Sequence, residues 1–232
     1  MGTLIVVEGL DGSGKGTHTK LLLERLEQMG VNVKRVTFPD YEQPSSELVK
    51  MYLSGQFGSD PNAVNPYAAS SFYAVDRFAS FTRFWKKDYD DGAVILCDRY
   101  TTSNIPYQMP KLPRQQWDAF LDWLNDYEYN KLSLPKPDAV LFLDVSPESA
   151  QKQMSQRYKG DESKKDIHES NLEYQKQCYD AVMYAKEKLG WYTVPLTENG
   201  EMRSMEENRE LVWQTVKGSG VLDQISERNE TF

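Results

Sequence analysis

The stretch GLDGSGKGT, Gly9 to Thr17, constrains this chain more than any other. It follows the apolar, β-branched run Thr3 to Val7 and precedes Thr19 to Leu26, where apolar residues recur with a helical period that ends at Gly30. A run of that composition reads as a strand buried on both faces of a parallel sheet. A glycine-rich turn from such a strand into a helix lets backbone N–H groups point inward around an anion, and the helix N-terminus adds its partial positive charge. Gly9, Gly14 and Lys15 satisfy G-x-x-x-x-G-K, the spacing that holds nucleotide phosphates, with Lys15 reaching the outer ones. The whole loop, Gly9, Leu10, Asp11, Gly12, Ser13, Gly14, Lys15, Gly16 and Thr17, is therefore the candidate triphosphate cradle. One position departs from the pattern: Gly16 stands where a hydroxyl is expected, and Thr17 comes one residue later.

Further strands are expected over Val31 to Phe38, Ala93 to Cys97, Ala139 to Leu143 and Trp191 to Leu196. Helices are expected over Ser45 to Leu53, Tyr67 to Lys87, Arg114 to Tyr127, Leu172 to Leu189 and Met205 to Val216. This alternation implies βαβ units, hence an α/β fold with a mainly parallel five-stranded sheet covered on both sides. Gln156 to Asp166, QRYKGDESKKD, lacks apolar periodicity and reads as a mobile surface segment; beyond Lys217 a Gly-Ser-Gly turn leads into a polar tail over 218–232. The 232 residues fit one domain. With 35 acidic and 27 basic residues the formal charge is −8, which argues against a nucleic-acid-binding surface, so an anionic ligand must meet a local cluster of cations. Cys97 and Cys178 have neither disulfide-framework nor zinc spacing. There is no leader pattern and no run of about 18 apolar residues, so a soluble, membrane-free, cytoplasmic protein is expected.

A phosphate loop names a nucleotide, not a reaction. No N-K-x-D base reader of the GTPase kind occurs. The third strand ends in CDRYTTSNIPYQ, Cys97 to Gln108. An acid at the carboxyl end of a parallel strand suits magnesium or its water shell, and a neighbouring arginine suits a phosphate in flight; Asp98 and Arg99 also fit a mutual salt bridge capping the strand. Tyr73 and Arg77 lie one turn apart on one helical face, among Phe72, Phe81 and Phe84. A guanidinium in that setting needs a partner, either a carboxylate such as Asp76 or Asp98 or a planar base stacked on Tyr73.

Taken together, VVEGLDGSGKGT, FPDY, YAVDR, DRYTTSN with the YQ that follows, LPKPD and DIHE resemble, in order, the thymidylate kinases, which transfer the γ-phosphoryl group of ATP to dTMP. The resemblance spans most of the chain and implies a P-loop NTPase-type three-layer fold with a small lid segment over about 156–167, within a kinase domain of residues 1–217. GKGT itself is similar to loops of nucleoside monophosphate kinases, in which Mg2+ is held largely through phosphates and water. Carried over by position, the likeness implies that Asp11 meets the deoxyribose 3′-hydroxyl or a magnesium ion, that Phe38 and Tyr41 line the acceptor phosphate and sugar, and that Tyr73 stacks on thymine while Arg77 bonds its O4. It also implies that Asp98 organises Mg2+, that Arg99 bridges donor and acceptor phosphates, that Ser103 and Asn104 face the base edge, and that Tyr107 sits near the sugar. Phe38, an aromatic at a strand end, equally fits core. The likeness implies a homodimer, for which the aromatic-rich helix from Tyr67 to Trp85 offers an apolar face, although core packing explains the same residues.

Some members of that family carry an arginine inside the loop, where this chain has Gly12; others supply basic groups from a lid, here Arg157, Lys159, Lys164 and Lys165. Arg157 opens that segment with a fork-shaped cation and is the expected catalytic lid residue, and with Glu198 to Gly200 it is a candidate for the adenine. Asp166 and Glu169 fit a helix-capping pair as well as the family's acid motif. His168 stands where an aromatic near the sugar is frequent, or is a surface histidine at a helix start, and His18 reads as helix surface. A monophosphate kinase of other specificity and a non-catalytic nucleotide-binding regulator remain the rival functions.

Overall fold

The computed structural model describes residues 1–159, 168 and 171–229. Five strands, β1 (Thr3–Glu8), β2 (Val33–Thr37), β3 (Val94–Asp98), β4 (Ala139–Asp144) and β5 (Tyr192–Pro195), form one sheet in the order β2-β3-β1-β4-β5. Every pairing in it is parallel. The helices are α1 (Lys15–Gln28), α2 (Glu47–Leu53), α3 (Pro66–Ser80), α4 (Lys86–Asp90), α5 (Asn104–Gln108), α6 (Trp117–Asn125), α7 (Pro147–Tyr158), α8 (Leu172–Leu189), α9 (Met205–Gly218) and α10 (Val221–Asn229). A short antiparallel hairpin, β6 (Thr197–Glu198) with β7 (Glu201–Met202), completes the described structure.

The period-2 geometry of β1 explains the three layers. Ile5 and Val7 face one side and pack with Leu22 and Leu26 of α1, Val212, Trp213 and Val216 of α9, and Val221 and Ile225 of α10. Leu4 and Val6 face the other side and meet Phe81, Trp85, Tyr89 and Tyr100. The polar tail expected after Lys217 is thus corrected in part: it turns at Gly220 into α10, whose Val221 and Ile225 are core residues. The helix expected over Tyr67 to Lys87 is one run in which a wide turn, Phe81–Trp85, joins α3 to α4. That expected over Arg114 to Tyr127 comprises a short turn, α6 and a second wide turn, Asp126–Lys131.

Helix α7 extends to Tyr158, so the polar segment read from Gln156 starts inside a helix. Ser146 accepts the Ser149 N–H and Pro147 occupies the first turn, a cap signature that marks this helix in the sequence. The register then places the site. Val7 lies opposite Asp98, so the glycine-rich loop after β1 and the Asp98-Arg99 dipeptide leave the carboxyl edge of the sheet side by side.

Candidate active site

A cleft of about 800 Å³ opens at that edge. Its walls bring together Asp11, Gly12, Gly14, Lys15, Gly16 and Thr17 of the loop and α1, Phe38 and Tyr41 after β2, Tyr73 and Arg77 of α3, and Asp98, Arg99, Ser103, Asn104 and Tyr107 after β3. Gly9, Leu10 and Ser13 stand behind that wall. The Leu10 side chain is buried with Tyr107, Tyr174 and Cys178, and its carbonyl accepts from the Lys15 ammonium at 2.7 Å. Thr37, Pro39, Leu53, Tyr100, Gln153, Met154 and His168 are lining residues that the motifs did not single out for this wall or left open. The Arg157 side chain, Lys164, Lys165, Asp166 and Glu169 lie outside the described residues; Lys159 is the exposed left-handed cap of α7.

The loop is fixed by close packing. Gly12 has φ +83°, and a Cβ there would meet the Ala150 carbonyl of α7 at 2.3 Å. No side chain fits, which explains why this loop carries no cation of its own at that position. Gly12→Ala should therefore destabilise the fold by about 2 kcal/mol or more, lowering the melting temperature by roughly 4–8 °C, and should loosen the nucleotide; thermal melts with and without ATP check this. Gly16 is different, since a Cβ would lie 3.4 Å from the Asp98 carboxylate, an ordinary contact.

Charges alternate across the cleft. Arg99 donates to Asp11 through Nη2 and to Ser103 Oγ at 3.3 Å, and lies 3.7 Å from the Glu8 carboxylate. Tyr107 donates to Asp11 at 2.8 Å. Burial would raise the Asp11 carboxyl, but Arg99, Lys15 and Tyr107 outweigh it and hold the pKa at about 2. Burial opposes the Arg99 charge too, yet Tyr107, Asp11 and Glu8 push it further up. Lys15, 4.0 Å from Asp11, is lowered to about 8 by burial and by Arg99. Asp98 pairs with Arg35 at 3.1 Å, not with Arg99, so the mutual strand-capping bridge is replaced by two separate pairs.

Glu8 lies within the VVEGLDGSGKGT motif, but no role of its own follows from the sequence. Fully buried, it accepts from the Gly9 N–H, Thr102 Oγ1 and Ser103 Oγ and braces the base of the loop against the segment after β3. Arg77 is also buried, and its partner is neither Asp76 nor Asp98. Glu128 of the wide turn takes it by two hydrogen bonds, while Asp76 accepts from the Asp40 N–H and Ser45 and so holds the FPDY turn. Phe38 packs on Tyr100 at 5.9 Å within the core and also lines the cleft. The two histidines are corrections. His18 is buried at the start of α1. His168 is buried too, stacked on Tyr107 at 5.1 Å and hydrogen-bonded to the Tyr52 hydroxyl at 2.9 Å, with its pKa lowered to about 3 by burial and by Lys111. The surface reading of His168 is thereby corrected: its ring is an uncharged part of the cleft wall beside Tyr107.

A lysine and a helix N-terminus, with Asp11 and Arg99 beside them and aromatic residues beyond, can hold phosphate groups and neutralise charge between them. The thymidylate kinase family model matches residues 7–206. The chain belongs to the thymidylate kinase family. It is 33% identical over 158 residues to the thymidylate kinase of Caenorhabditis elegans, covering 64% of this chain and 66% of that one. It is 30% identical over 192 residues to the thymidylate kinase of Mycobacterium tuberculosis, covering 81% and 87%. The solved structure of the thymidylate kinase of Candida albicans superposes with a TM-score of 0.68 at 22% identity over 95% of this chain and 93% of that one, which bears on the P-loop fold. Family membership makes the activity a phosphotransferase one directed at dTMP. No helix among the described residues is long and apolar enough to cross a membrane.

Proposed function

We propose that the cleft transfers the γ-phosphoryl group of ATP to dTMP, giving dTDP and ADP, with the donor in the Gly9 to Thr17 cradle and the acceptor between Phe38, Tyr41, Tyr73, Arg77, Asn104 and Tyr107. One observation carries this division of roles. Arg99 joins the loop's Asp11 to Ser103 on the acceptor wall, so a single guanidinium stands between the two nucleotide halves. Phosphoryl transfer runs on alignment and charge neutralisation, so the chemistry needs no histidine base. Lys15 and the N-terminus of α1 hold the donor phosphates, and Arg99 spans donor and acceptor oxygens as charge develops. The lid role expected of Arg157, over about 156–167, falls on a side chain outside the described residues.

Magnesium fits this site through Asp98. Asp98 ends β3 opposite Val7 and so stands beside the phosphate loop, where Mg2+ would be bound by a carboxylate together with nucleotide phosphates and water. Asp98, paired with Arg35, lies beside Gly16 at the loop, and Asp11, paired with Arg99 and Tyr107, is the second carboxylate proposed for the ion. When bound, the ion would neutralise charge on the bridging phosphate oxygens. Two buried free cysteines suit a reducing cytoplasm, and Val75 and Phe78 of α3, with Phe84 beyond it, keep apolar faces exposed that suit a homodimer.

ADP formation measured with dTMP, dUMP, dGMP, AMP, UMP and thymidine as acceptors tests the proposal. The expected result is preference for dTMP with dUMP a poorer substrate by about 10- to 200-fold, the worth of one methyl group in an apolar pocket. Preference for AMP would reassign the acceptor, and no acceptor-dependent ADP at all would leave a nucleotide-binding regulator.

A further inference from the structure

Glu128 lies 51 residues from Arg77 in sequence and outside every motif, yet it is fully buried at the floor of the acceptor half. Its Oε2 accepts from Arg77 Nε at 2.7 Å, and its Oε1 accepts from Arg77 Nη2 and from Asn104 Nδ2 at 3.0 Å. Arg77 Nη1 donates to the Tyr100 carbonyl at 3.4 Å. A guanidinium has five N–H groups, so two remain, one each on Nη1 and Nη2. Both Arg77 and Asn104 line the cleft, and Glu128 does not. The carboxylate therefore sits behind two polar side chains and fixes which of their donors and acceptors face outward.

The element that carries Glu128 points the same way. After Asn125 the helix widens over Asp126–Lys131, where the Leu132 N–H reaches back five residues to the Tyr127 carbonyl at 3.0 Å. Such wide turns are costly and recur at functional positions. This one places Glu128 inward while Tyr129 meets Thr101 beside the same wall. Burial pushes the Glu128 carboxyl up, but three donors converge on it, as expected for the ionised form; burial likewise opposes the Arg77 charge, and Glu128 outweighs it.

We propose that Glu128 is a positioning residue for base selection: it locks the Arg77 guanidinium, and with it the Asn104 amide, so that only a base presenting acceptors at that edge is bound tightly. The inference rests on Arg77 facing the base of the acceptor. With two N–H groups left on a guanidinium that lines the cleft, a carbonyl-bearing pyrimidine would accept from them and an amino-bearing one would be opposed. Once the carboxylate is gone or drawn back, the guanidinium can reorient and that opposition weakens.

The test compares wild type with Glu128→Gln and Glu128→Asp in steady-state assays with dTMP, dCMP and varied ATP, alongside thermal melts. Glu128→Asp keeps the buried cation paired and the fold intact while withdrawing the carboxylate by one methylene. Expected for both variants is a rise in KM for dTMP of about 10- to 100-fold, larger in Glu128→Gln, the factor of one charged hydrogen bond. KM for ATP should stay within about 2-fold, and the preference for dTMP over dCMP should narrow. A folded Glu128→Asp enzyme with unchanged KM for dTMP and unchanged base preference overturns the inference while leaving the kinase proposal standing. A parallel loss toward both nucleotides also overturns it, by reducing Glu128 to a structural role. Wild type that ignores dTMP would sink the underlying proposal and this one with it.

Discussion

Lys15→Ala should lower kcat/KM by about 10²–10³-fold, the usual cost of removing one preorganised charge from a phosphoryl-transfer site, without lowering the melting temperature of the nucleotide-free protein. The two halves of this expectation have one cause. The Lys15 ammonium is buried, with the Leu10 carbonyl at 2.7 Å and Asp11 no nearer than 4.0 Å, and burial with Arg99 nearby lowers its pKa to about 8. A lysine so lowered favours its neutral form in the fold, so its charge works against folding below the ordinary lysine value and is tolerated for the ligand's sake. Asp11 retains Arg99 and Tyr107 when the ammonium is removed. ATP affinity of the unaltered protein should fall as pH rises through about 8, where Lys15 loses the charge that meets the phosphates, and Lys15→Ala should flatten that part of the profile. Isothermal titration with ATP from pH 6.5 to 9.5 measures this. Near-normal turnover in a folded Lys15→Ala protein would remove the lysine from the mechanism.

What was legible in the sequence had a local cause. The β-branched run at Thr3 to Val7, the glycines of the loop and the period of Leu172 to Leu189 each specify an element within a few residues, and helix α8 has the expected bounds. The site was legible wherever a residue sits on such an element: Val7 opposite Asp98 follows from parallel pairing of β1 with β3, and it brings loop and dipeptide together. Pairings across long separations were not legible. Arg77 needs a buried carboxylate, and several acids qualify until the fold selects Glu128 from a wide turn that has no composition signal. Asp98 is bound to Arg35 on the neighbouring strand, a choice that depends on strand order. Burial of His18 and His168 depends on packing by α9 and by α2 with α8, and a histidine alone gives no sign of either. Helix α10 was hidden because only Val221, Leu222 and Ile225 interrupt an otherwise polar stretch, although three apolar positions suffice for one face of a helix of nine residues.

Arg99→Ala should cost about 10³-fold or more in kcat, with a smaller change in KM for either nucleotide, because this guanidinium joins the donor loop to the acceptor wall and its strongest role arises as charge builds between them. It is held for that role. Its carboxylate partners come from the loop, Asp11, and from the strand, Glu8, while Tyr107 lies beneath it with its ring centre 5.4 Å away. The backbone is left-handed at Arg99, φ +67°, a conformation that a residue with a Cβ adopts at a cost. Arg99→Gly is therefore the informative companion: it relieves the backbone and still lacks the fork. If the side chain acts, both variants lose turnover alike and Arg99→Lys recovers only part, since a point charge cannot bridge two phosphates as a planar fork does. If Arg99→Gly restored turnover, the backbone would be the cause and the bridging role would fall. Acid stability gives a second readout. Asp11, held at about 2 in the fold, contributes stability that is present above its ordinary 3.8 and lost as pH falls toward 2. Without Arg99, burial is less opposed and the Asp11 pKa rises, so unfolding followed by circular dichroism should move to higher pH in all three variants, least in Arg99→Lys. A catalytic loss with no such movement would place Arg99 apart from Asp11 in solution, and the two-nucleotide bridge would have to be built from other residues.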